Sequence, residues 1–298
     1  MLEQLTETEP PLELLRHWGI TRFAQLGGRR KQHWLVQVRA DQLVLAASSS
    51  DVSYEIAVQR HLHVRGWPVP ELVRGPVRIG RKSWSLFTRL PGSPIDETDV
   101  DRRRRGRWLA ELHQSMALLD LGQRSGFELA DELVADPELH ESLRNYERIR
   151  PAEGRILRWH LDWTRAAFAR LDLTRAERIV LHGDFAPWNL LFDGDRLSGI
   201  LDFEAAHRNY RVADFALSWR GGQDEVLAGY SEVQQMNDLD WELLVPVFWS
   251  WLFMGMKGHI DSILTGQSEA RGFEWQVRHL LRRSDAIRGR VPAYSTPD

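Results

Sequence analysis

The sequence contains no cysteine, and this absence excludes several classes of protein at once. Without a thiol the chain has no disulfide framework, no cysteine nucleophile and no thiolate ligands for zinc. A chain of this kind suits a reducing compartment, so we expect it in the cytoplasm. Its acidic first residues lack the basic region and apolar run of a secretory signal, which agrees with that expectation.

Excess charge of one sign and long apolar runs are also scarce. The 298 residues carry a formal net charge of −3, which indicates neither nucleic acid nor a polyanionic surface as a partner. Basic charge is almost entirely arginine, because lysine occurs only as Lys31, Lys82 and Lys257. The most apolar segment, residues 243–256, is too short to cross a bilayer and fits a buried core helix. We therefore expect neither a nucleic-acid nor a membrane partner.

The first 91 residues have the patterns of a β-rich lobe. Apolar residues alternate in HWLVQVR and QLVLAA, with a turn at Ala40-Asp41 and a Gly-Gly loop before the first of them. Residues 51–66 have helical spacing, and residues 68–90 contain a further pair of strand patterns. The sequence predicts an antiparallel sheet with one inserted helix.

The Pro- and Gly-rich stretch PGSPIDETD predicts a boundary between a lobe of residues 1–91 and a lobe of residues 92–298. Helical spacing dominates after it. The fold class predicted is therefore α+β, with a small antiparallel β-rich N-terminal lobe and a larger helical C-terminal lobe. Within the second lobe we expect the arginine run 101–107 to be a solvated helix turn and the tail 290–298 to be disordered.

One stretch of the helical lobe carries an unusual set of polar residues, LHGDFAPWNLLFDGDRLSGILDFE, residues 181–204. If the apolar parts pair as a hairpin, Asn189 and Asp202 lie at its open end. A carboxylate and an amide oxygen there form a hard-oxygen site suited to Mg²⁺, which takes its other ligands from water and phosphates. Asp184 is then able to orient a hydroxyl or accept its proton. Asp193 and Asp195 are typical of turn chemistry.

The segments HGDFAPWN and ILDFE resemble the catalytic and metal loops of the aminoglycoside phosphotransferase and choline kinase-like family, which is related to the protein kinases. The resemblance extends over about residues 20–260 and is strongest over 181–219. It implies a two-lobed protein-kinase-like fold and an ATP- or GTP-dependent O-phosphotransferase, a small-molecule kinase. The implied acceptor is a hydroxyl of an aminoglycoside or other antibiotic, which would make the protein an antibiotic-resistance enzyme, or of a metabolite such as a sugar, an amino alcohol or a choline-like compound.

The resemblance also implies roles for individual residues. Asp184 is the catalytic residue and Asn189 and Asp202 are the Mg²⁺ ligands, whereas His182 and Asp214 support the loop. Trp188 and Glu204 are implied to contact the acceptor, and Trp219, Trp241, Trp249 and Trp251 lie in the region that forms the acceptor pocket. The implied nucleotide-binding residues are Gly27, Gly28, Arg29, Glu55, Thr88, Arg89 and Leu90.

One position departs from the family pattern. The third strand of the family ends in a lysine that contacts the ATP phosphates and pairs with a helix glutamate, here Glu55. This sequence has Ala46 in its place, within LVLAAS. Our hypothesis is that Arg29, Arg30 or Lys31 in the glycine loop, or Arg39, supplies the missing positive charge.

Two other classes of function stay open at this point. A pseudokinase-like module would keep the fold and bind nucleotide without turnover, as the missing lysine indicates. A metal-dependent hydrolase could use the same acids, but it would have no use for the β-rich lobe.

Overall fold

The computed structural model describes residues 9–27, 32–94, 98–267 and 273–295. They fall into two compact units. The first runs to Ser93 and includes Leu191–Leu201, and the second runs from Pro94 to Leu190 and resumes at Asp202. The boundary between residues 91 and 92 expected from the sequence stays a prediction, because compactness does not test which segments fold by themselves.

The first unit contains the antiparallel sheet that the sequence predicts. Five strands lie in the order β1-β2-β3-β5-β4, and β7 and β8 form a separate hairpin. The bounds are α1 (Leu12–Trp18), β1 (Ile20–Gly27), β2 (Gln32–Val38), β3 (Asp41–Ser48), α2 (Ser53–Val64), β4 (Leu72–Ile79), β5 (Lys82–Thr88), β7 (Leu190–Asp193) and β8 (Arg196–Ile200). The turn before β3 is one residue earlier than predicted, because Asp41 pairs with Val38 in the ladder.

The two faces of this sheet bury different residues because side chains alternate along each strand. On one face Trp34 of β2 stacks on Trp84 of β5, with ring centroids 5.4 Å apart, and α1 covers them with Leu14 and Trp18. On the other face Ala46 packs against Val52 and Ile56 at the start of α2. Both faces are therefore covered where helices pack on them.

The β7–β8 hairpin is tied to the connector that follows β5. Ser93 and Phe192 exchange two backbone hydrogen bonds of 3.1 and 2.9 Å, and the Ser198 hydroxyl donates to the carbonyl oxygen of Pro91 over 2.8 Å. Gly92 has a φ of +107°, and a Cβ there would lie 2.7 Å from the Phe192 carbonyl oxygen. These contacts place the hairpin in the first unit although its flanking residues belong to the second.

The second unit is mostly helical. Its short two-stranded sheet pairs β6 (Arg178–Leu181) with β9 (His207–Tyr210). Its helices are α3 (Asp99–Met116), α4 (Ala130–Ala135), α5 (Pro137–Ile149), α6 (Pro151–Phe168), α7 (Phe215–Ser218), α8 (Asp224–Val233), α9 (Asp238–Leu264), α10 (Phe273–Leu280) and α11 (Asp285–Arg288). Single 3-10 turns lie at Leu173–Arg175, Pro187–Asn189, Phe203–Ala205 and Arg211–Asp214.

The longest helix, α9, contains the apolar segment 243–256. Among the described residues it is long and apolar enough to cross a membrane, but 67% of its apolar window is buried inside the chain. It packs against α4, α5 and α6. We therefore interpret it as the core helix that the sequence predicts.

Two sequence expectations for the second unit are wrong in part. Within the arginine run, Arg105 is 1% exposed and donates to the carbonyl oxygen of Ser218 over 3.0 Å. This guanidinium is therefore buried, whereas the expectation was a solvated helix turn. The described part of the tail is ordered by aromatic contacts, because the ring of Tyr294 lies 5.5 Å from that of Trp159. The local sequence holds no sign of either contact.

Helices α3 and α8 approach each other closely through glycines. A Cβ on Gly106 would lie 2.1 Å from the carbonyl oxygen of Val226, and a Cβ on Gly229 would lie 1.9 Å from that of Arg103. Both distances are far inside van der Waals contact with backbone, which cannot move without separating the helices. This close packing matters for the site, because α3 and α8 both support it.

We expect Gly229→Ala to lower the melting temperature by several degrees, since overpacking of this kind costs about 1–3 kcal/mol or more. Gly258→Ala, in α9, is the matched control, because a Cβ there meets nothing within 4 Å. It should be neutral or stabilising by about 0.5–1 kcal/mol. Thermal unfolding of both variants checks this, and equal melting temperatures would contradict the close packing.

Candidate functional site

The loop after β6 begins with a glycine that no other residue can replace without strain. Gly183 has a φ of +80°, and a Cβ there would lie 2.1 Å from the carbonyl oxygen of Ala205. Glycine alone adopts this conformation freely and permits this approach. The His-Gly-Asp turn is therefore held against the segment that follows Asp202.

Hydrogen bonds fix the rest of the loop to itself. The backbone N–H of Asp184 donates to Nδ1 of His182 over 3.2 Å, and the Asn189 side-chain amide donates to the carbonyl oxygen of Asp184 over 2.9 Å. The 3-10 turn Pro187–Asn189 brings Asn189 back to Asp184. Asn189 is 7% exposed, and its amide oxygen accepts no hydrogen bond from any described residue.

A buried carboxylate, that of Asp214, holds the beginning of this loop. Asp214 is 2% exposed and accepts the backbone N–H of His182 over 2.9 Å and that of Gly183 over 2.6 Å. Burial works to raise the pKa of Asp214, but the hydrogen bonds from His113 and Gly183 outweigh it, and the pKa is lowered. The carboxylate is therefore ionised and binds the N–H groups strongly.

The helices α3 and α8 stand behind this carboxylate. Nε2 of His113, in α3, lies 3.1 Å from Oδ2 of Asp214, and Nδ1 lies 2.9 Å from the hydroxyl of Tyr230 in α8. All three side chains are buried. The position of the loop thus depends on the spacing of the two glycine-packed helices.

Asp202 lies two residues after the end of β8, and its backbone is in the left-handed region with φ +62° and ψ +68°. The carbonyl oxygens of Glu204 and Ala206 accept hydrogen bonds of 2.8 and 2.7 Å from Arg124. The ring of Phe203 lies 4.6 Å from the ring of His182. The residues after β8 and the His-Gly-Asp turn therefore form one assembly.

The assembly also changes the protonation of Asp184. Burial raises its pKa to about 6, the charge of Asp202 acts in the same direction, and the Asn189 amide acts against them. Its Oδ1 atom is buried and accepts no hydrogen bond from the described residues. A carboxylate of this kind is close to the protonation balance of a general base near neutral pH.

The same place suits a cation. Asp202 is exposed, and its carboxylate makes no hydrogen bond or ion pair with any described residue. Amide and carboxylate oxygens are ligands that Mg²⁺ accepts. Among the residues described, no group of three or more His, Asp and Glu side chains could hold a metal ion by itself. Asn189 and Asp202 thus offer two oxygen donors at this place, which are fewer than a cation needs.

The two residues expected to contact an acceptor lie at this assembly. Trp188 is 49% exposed, and the guanidinium carbon of Arg220 lies 5.6 Å from the centre of its ring. Glu204 is half-buried two residues after Asp202. Of the other tryptophans considered, Trp219 and Trp249 are buried in the core, whereas Trp251 lines a pocket.

The residues expected to bind nucleotide lie in the first unit. Gly27 ends β1, whereas Gly28, Arg29, Arg30 and Lys31 lie outside the described residues. Thr88 is bound to Glu71 by two hydrogen bonds of 2.9 Å, and Arg89 donates to Gln42. Leu90 lies beside Gly199 of the hairpin. No described contact of these residues tests a nucleotide role.

Ala46 and Glu55 show how the usual lysine–glutamate pair is replaced. Ala46 lies in β3 between His33 and Ser85 of the neighbouring strands, and it is 8% exposed. Glu55 is 5% exposed in α2. The alanine allows apolar packing between β3 and α2, so nothing at position 46 can carry charge to a phosphate.

Comparison with known protein families agrees with the geometry of this loop. A sequence model of the phosphotransferase enzyme family APH matches residues 20–244. The chain belongs to this family. Three solved structures share its fold. The similarity covers 90% of the chain and 92% of a spectinomycin phosphotransferase solved with ADP and spectinomycin (TM-score 0.64, 12% identity). It covers 94% of the chain and 95% of an amicoumacin kinase solved with AMP-PNP and Ca²⁺ (TM-score 0.69, 11% identity). It covers 90% of the chain and 92% of a microcompartment-associated aminopropanol kinase (TM-score 0.64, 15% identity).

Curated relatives of this phosphotransferase are more similar to it in sequence than the three solved structures are, but the similarity covers less of their length. A homoserine kinase of Beijerinckia indica is 30% identical over 56% of the chain and 52% of that protein. A homoserine kinase of Zymomonas mobilis is 25% identical over 57% of the chain and 53% of that protein. The chain thus spans about half the length of these curated relatives.

The sequence patterns of this phosphotransferase did not predict the roles of Arg124 and Ser218 in the assembly. Arg124 binds the Glu204 and Ala206 carbonyl oxygens, and the Ser218 hydroxyl donates to the carbonyl oxygen of Phe185. Neither lies in a motif, and both act through backbone groups, which leave no pattern of residue types.

The raised pKa of Asp184 predicts a pH-dependent stability of the metal-free protein. Because the folded-state pKa of about 6 exceeds the ordinary value of 3.8, ionising Asp184 opposes folding, and this penalty grows as the pH rises from about 4 to about 6. Asp184→Asn removes it. The variant should therefore melt at a higher temperature than the wild type at pH 7.5, and the difference should shrink toward pH 4.5.

Thermal unfolding in EDTA at both pH values checks this. Asp193→Asn is the control, because Asp193 is exposed at the hairpin turn and should give no pH-dependent difference. A gain for Asp184→Asn that is equal at both pH values would contradict the electrostatic explanation.

Proposed function

We propose that this chain transfers a phosphoryl group from a nucleoside triphosphate to a hydroxyl of a small molecule. Membership of the phosphotransferase family supports the reaction class. The observation that carries the proposal is Asp184, a half-buried carboxylate with a raised pKa and an unbonded Oδ1, fixed beside the oxygen ligands Asn189 and Asp202. Phosphoryl transfer needs this combination of a placed base and a phosphate-bound metal.

Asp184 is proposed to orient the acceptor hydroxyl and to accept its proton on the carboxylate. A base is most effective when its pKa is near the working pH, and burial brings that of Asp184 toward it. The hydrogen bonds that the loop N–H groups donate to Asp214 and to His182 hold the carboxylate in place before the acceptor binds. Little reorganisation is then needed in the transition state.

The amide oxygen of Asn189 and the carboxylate of Asp202 would hold Mg²⁺. When bound, the metal would bridge donor phosphates and offset negative charge in the transition state. Its charge would also relieve the repulsion between Asp202 and Asp184, which otherwise raises the pKa of Asp184.

For the donor we propose ATP or GTP, with Thr88, Arg89 and Leu90 near the base and Gly27, Gly28 and Arg29 near the phosphates. Two of the similar structures were solved with ADP or AMP-PNP, which supports a nucleotide donor. A nucleotide donor and a chain without cysteine both suit the cytoplasm.

The acceptor is proposed to contact Trp188 and Glu204. Antibiotic kinases, an aminopropanol kinase and homoserine kinases all occur among the similar proteins, so an antibiotic and an amino alcohol or hydroxy amino acid are both represented. An antibiotic acceptor would make the enzyme one of antibiotic resistance.

One observation favours a second function, a nucleotide-binding pseudokinase. Ala46 packs against α2 at the position where relatives of this type have lysine. Such a protein would raise its melting temperature with nucleotide and Mg²⁺ but transfer no phosphate.

Asp184→Asn tests the proposal. We expect kcat to fall by about 10²–10⁴-fold, because general base catalysis supplies an effect of that size. The dissociation constant of Mg²⁺·AMP-PNP should stay within about threefold, since Asp184 is not assigned to the nucleotide. ADP release with a panel of hydroxyl acceptors, followed together with nucleotide binding, measures both.

Asp195→Asn, on the exposed hairpin turn, is the control and should retain full activity. If the wild type binds nucleotide but transfers phosphate to no acceptor, the result would contradict the kinase and support the pseudokinase. Absence of nucleotide binding would overturn both functions.

A triple variant tests how the donor phosphates are held. Replacing Arg29, Arg30 and Lys31 by alanine should raise the KM for ATP at least about tenfold, or 1.4 kcal/mol. The control variant replaces Arg144, Arg148 and Arg150 by alanine. These arginines are exposed, and their replacement removes the same amount of charge. An unchanged KM for ATP in the first variant would exclude the glycine-loop cations.

A further inference from the structure

A pocket in the second unit lies beside the proposed catalytic loop and has a lining that distinguishes acceptors. Its enclosed part measures about 80 Å³, and the pocket opens to solvent. Its walls are largely apolar, and Arg220 and His279 are the charged or titratable residues that line it. The apolar part includes Leu217, Phe248, Trp251 and Leu252.

Arg220 joins this pocket to the catalytic loop. Its guanidinium carbon lies 5.6 Å from the ring centre of Trp188, four residues after Asp184. The neighbouring Ser218 donates its hydroxyl hydrogen bond to the carbonyl oxygen of Phe185, the residue after Asp184. The arginine is therefore tied to the loop through its side chain and through the chain that precedes it.

The backbone holds Arg220 in a conformation that an arginine rarely adopts. Its φ is +56°, and Gly221 follows with a φ of +69°. A Cβ on Gly221 would lie 2.5 Å from the ring of Phe248. Trp219, which is buried, anchors the turn by donating to Asp224 over 2.7 Å. A non-glycine residue in this region is strained, and such strain is common at binding sites.

The guanidinium of Arg220 makes no hydrogen bond or ion pair with any described residue. Arg211 shows the contrast, because it pairs with Glu177 and Asp240 in the same unit. A half-buried guanidinium with its donors unused and one face on Trp188 is able to bind a carboxylate in a bidentate way.

Four acidic residues of this unit that could attract a polycation are engaged elsewhere. Glu225 and Glu232 pair with Arg103 of α3, and Asp261 pairs with Lys257. Asp224 accepts hydrogen bonds from Trp219 and from the backbone of Asp285. Among the described residues the pocket lining contains no carboxylate. Its charge therefore opposes a polycationic acceptor.

We propose that the acceptor is a hydroxy acid, with its carboxylate on Arg220 and an apolar group in the pocket beside Phe248, Trp251 and Leu252. This inference rests on the proposed function, because it requires Asp184 to orient the acceptor hydroxyl and to accept its proton. It adds the class of acceptor, an anion with an apolar substituent, and excludes a polycationic aminoglycoside.

Equilibrium binding to the Mg²⁺·ADP complex of the full chain tests the inference separately from turnover. The probe is N-benzoyl-L-serine, which has a hydroxyl, a carboxylate and an aromatic group, and its methyl ester lacks only the charge. The wild type should bind the acid about ten- to 100-fold more tightly than the ester, as expected for a charge-assisted hydrogen bond. Arg220→Ala should lose this preference and leave the affinity for ADP unchanged.

The apolar part of the pocket has its own variant. Gly255 lines the pocket and a Cβ there meets nothing within 4 Å, so Gly255→Leu should fill the space. It should weaken N-benzoyl-L-serine at least about tenfold by steric exclusion. Gly258→Leu, three residues further along α9 and outside the lining, should leave the affinity unchanged.

Equal affinities for acid and ester, no effect of Arg220→Ala, or no binding of the probe to the wild type would each overturn the inference. Tight binding of a polycationic aminoglycoside that survives Arg220→Ala would do so as well. None of these results touches the proposed function, which fails instead if the wild type binds no nucleotide or transfers no phosphate.

Discussion

The arrangement of the site depends on one buried carboxylate, that of Asp214. It accepts the backbone N–H groups of His182 and Gly183, and its Oδ2 atom also lies 3.1 Å from Nε2 of His113. A buried carboxylate without partners would be protonated or expelled, but with these donors it stays ionised and holds the loop rigidly. Because His113 lies on α3 and contacts Tyr230 of α8, the close packing of those helices sets the position of Asp184.

Crowding of like charge follows from the same arrangement. Asp184 is held beside Asp202 and Asp214, and burial together with their charge raises its pKa to about 6. The protein therefore maintains an unfavourable electrostatic state in its metal-free form. Sites that bind cations and anions together commonly have this property, because the ligand removes the repulsion that the fold imposes. The neighbouring pocket carries the opposite charge, because Arg220 lines it and has no ion pair among the described residues. Negative and positive charge therefore lie apart within one unit.

Much of the fold could be predicted from local patterns. Alternation in β2 and β3 and helical spacing in α2 and α3 indicate elements that the structure contains, because each pattern reflects one buried face. The ordered tail and the internal use of Arg105 could not be predicted in this way. Tyr294 is ordered by Trp159, and Arg105 binds the carbonyl oxygen of Ser218, partners that lie more than 100 residues away in the chain.

The sequence by itself determined the family, the order of the elements and the residue types of the loop, since HGDFAPWN and ILDFE specify residue types at fixed spacing. The tertiary structure decided what those residues experience. Burial and the charge of Asp202 set the pKa of Asp184, and the approach of Gly183 to Ala205 joins the two segments. It also brought Arg220 to Trp188 and to the apolar pocket. Desolvation and charge interactions depend on distances in space, and residues remote in sequence supply them.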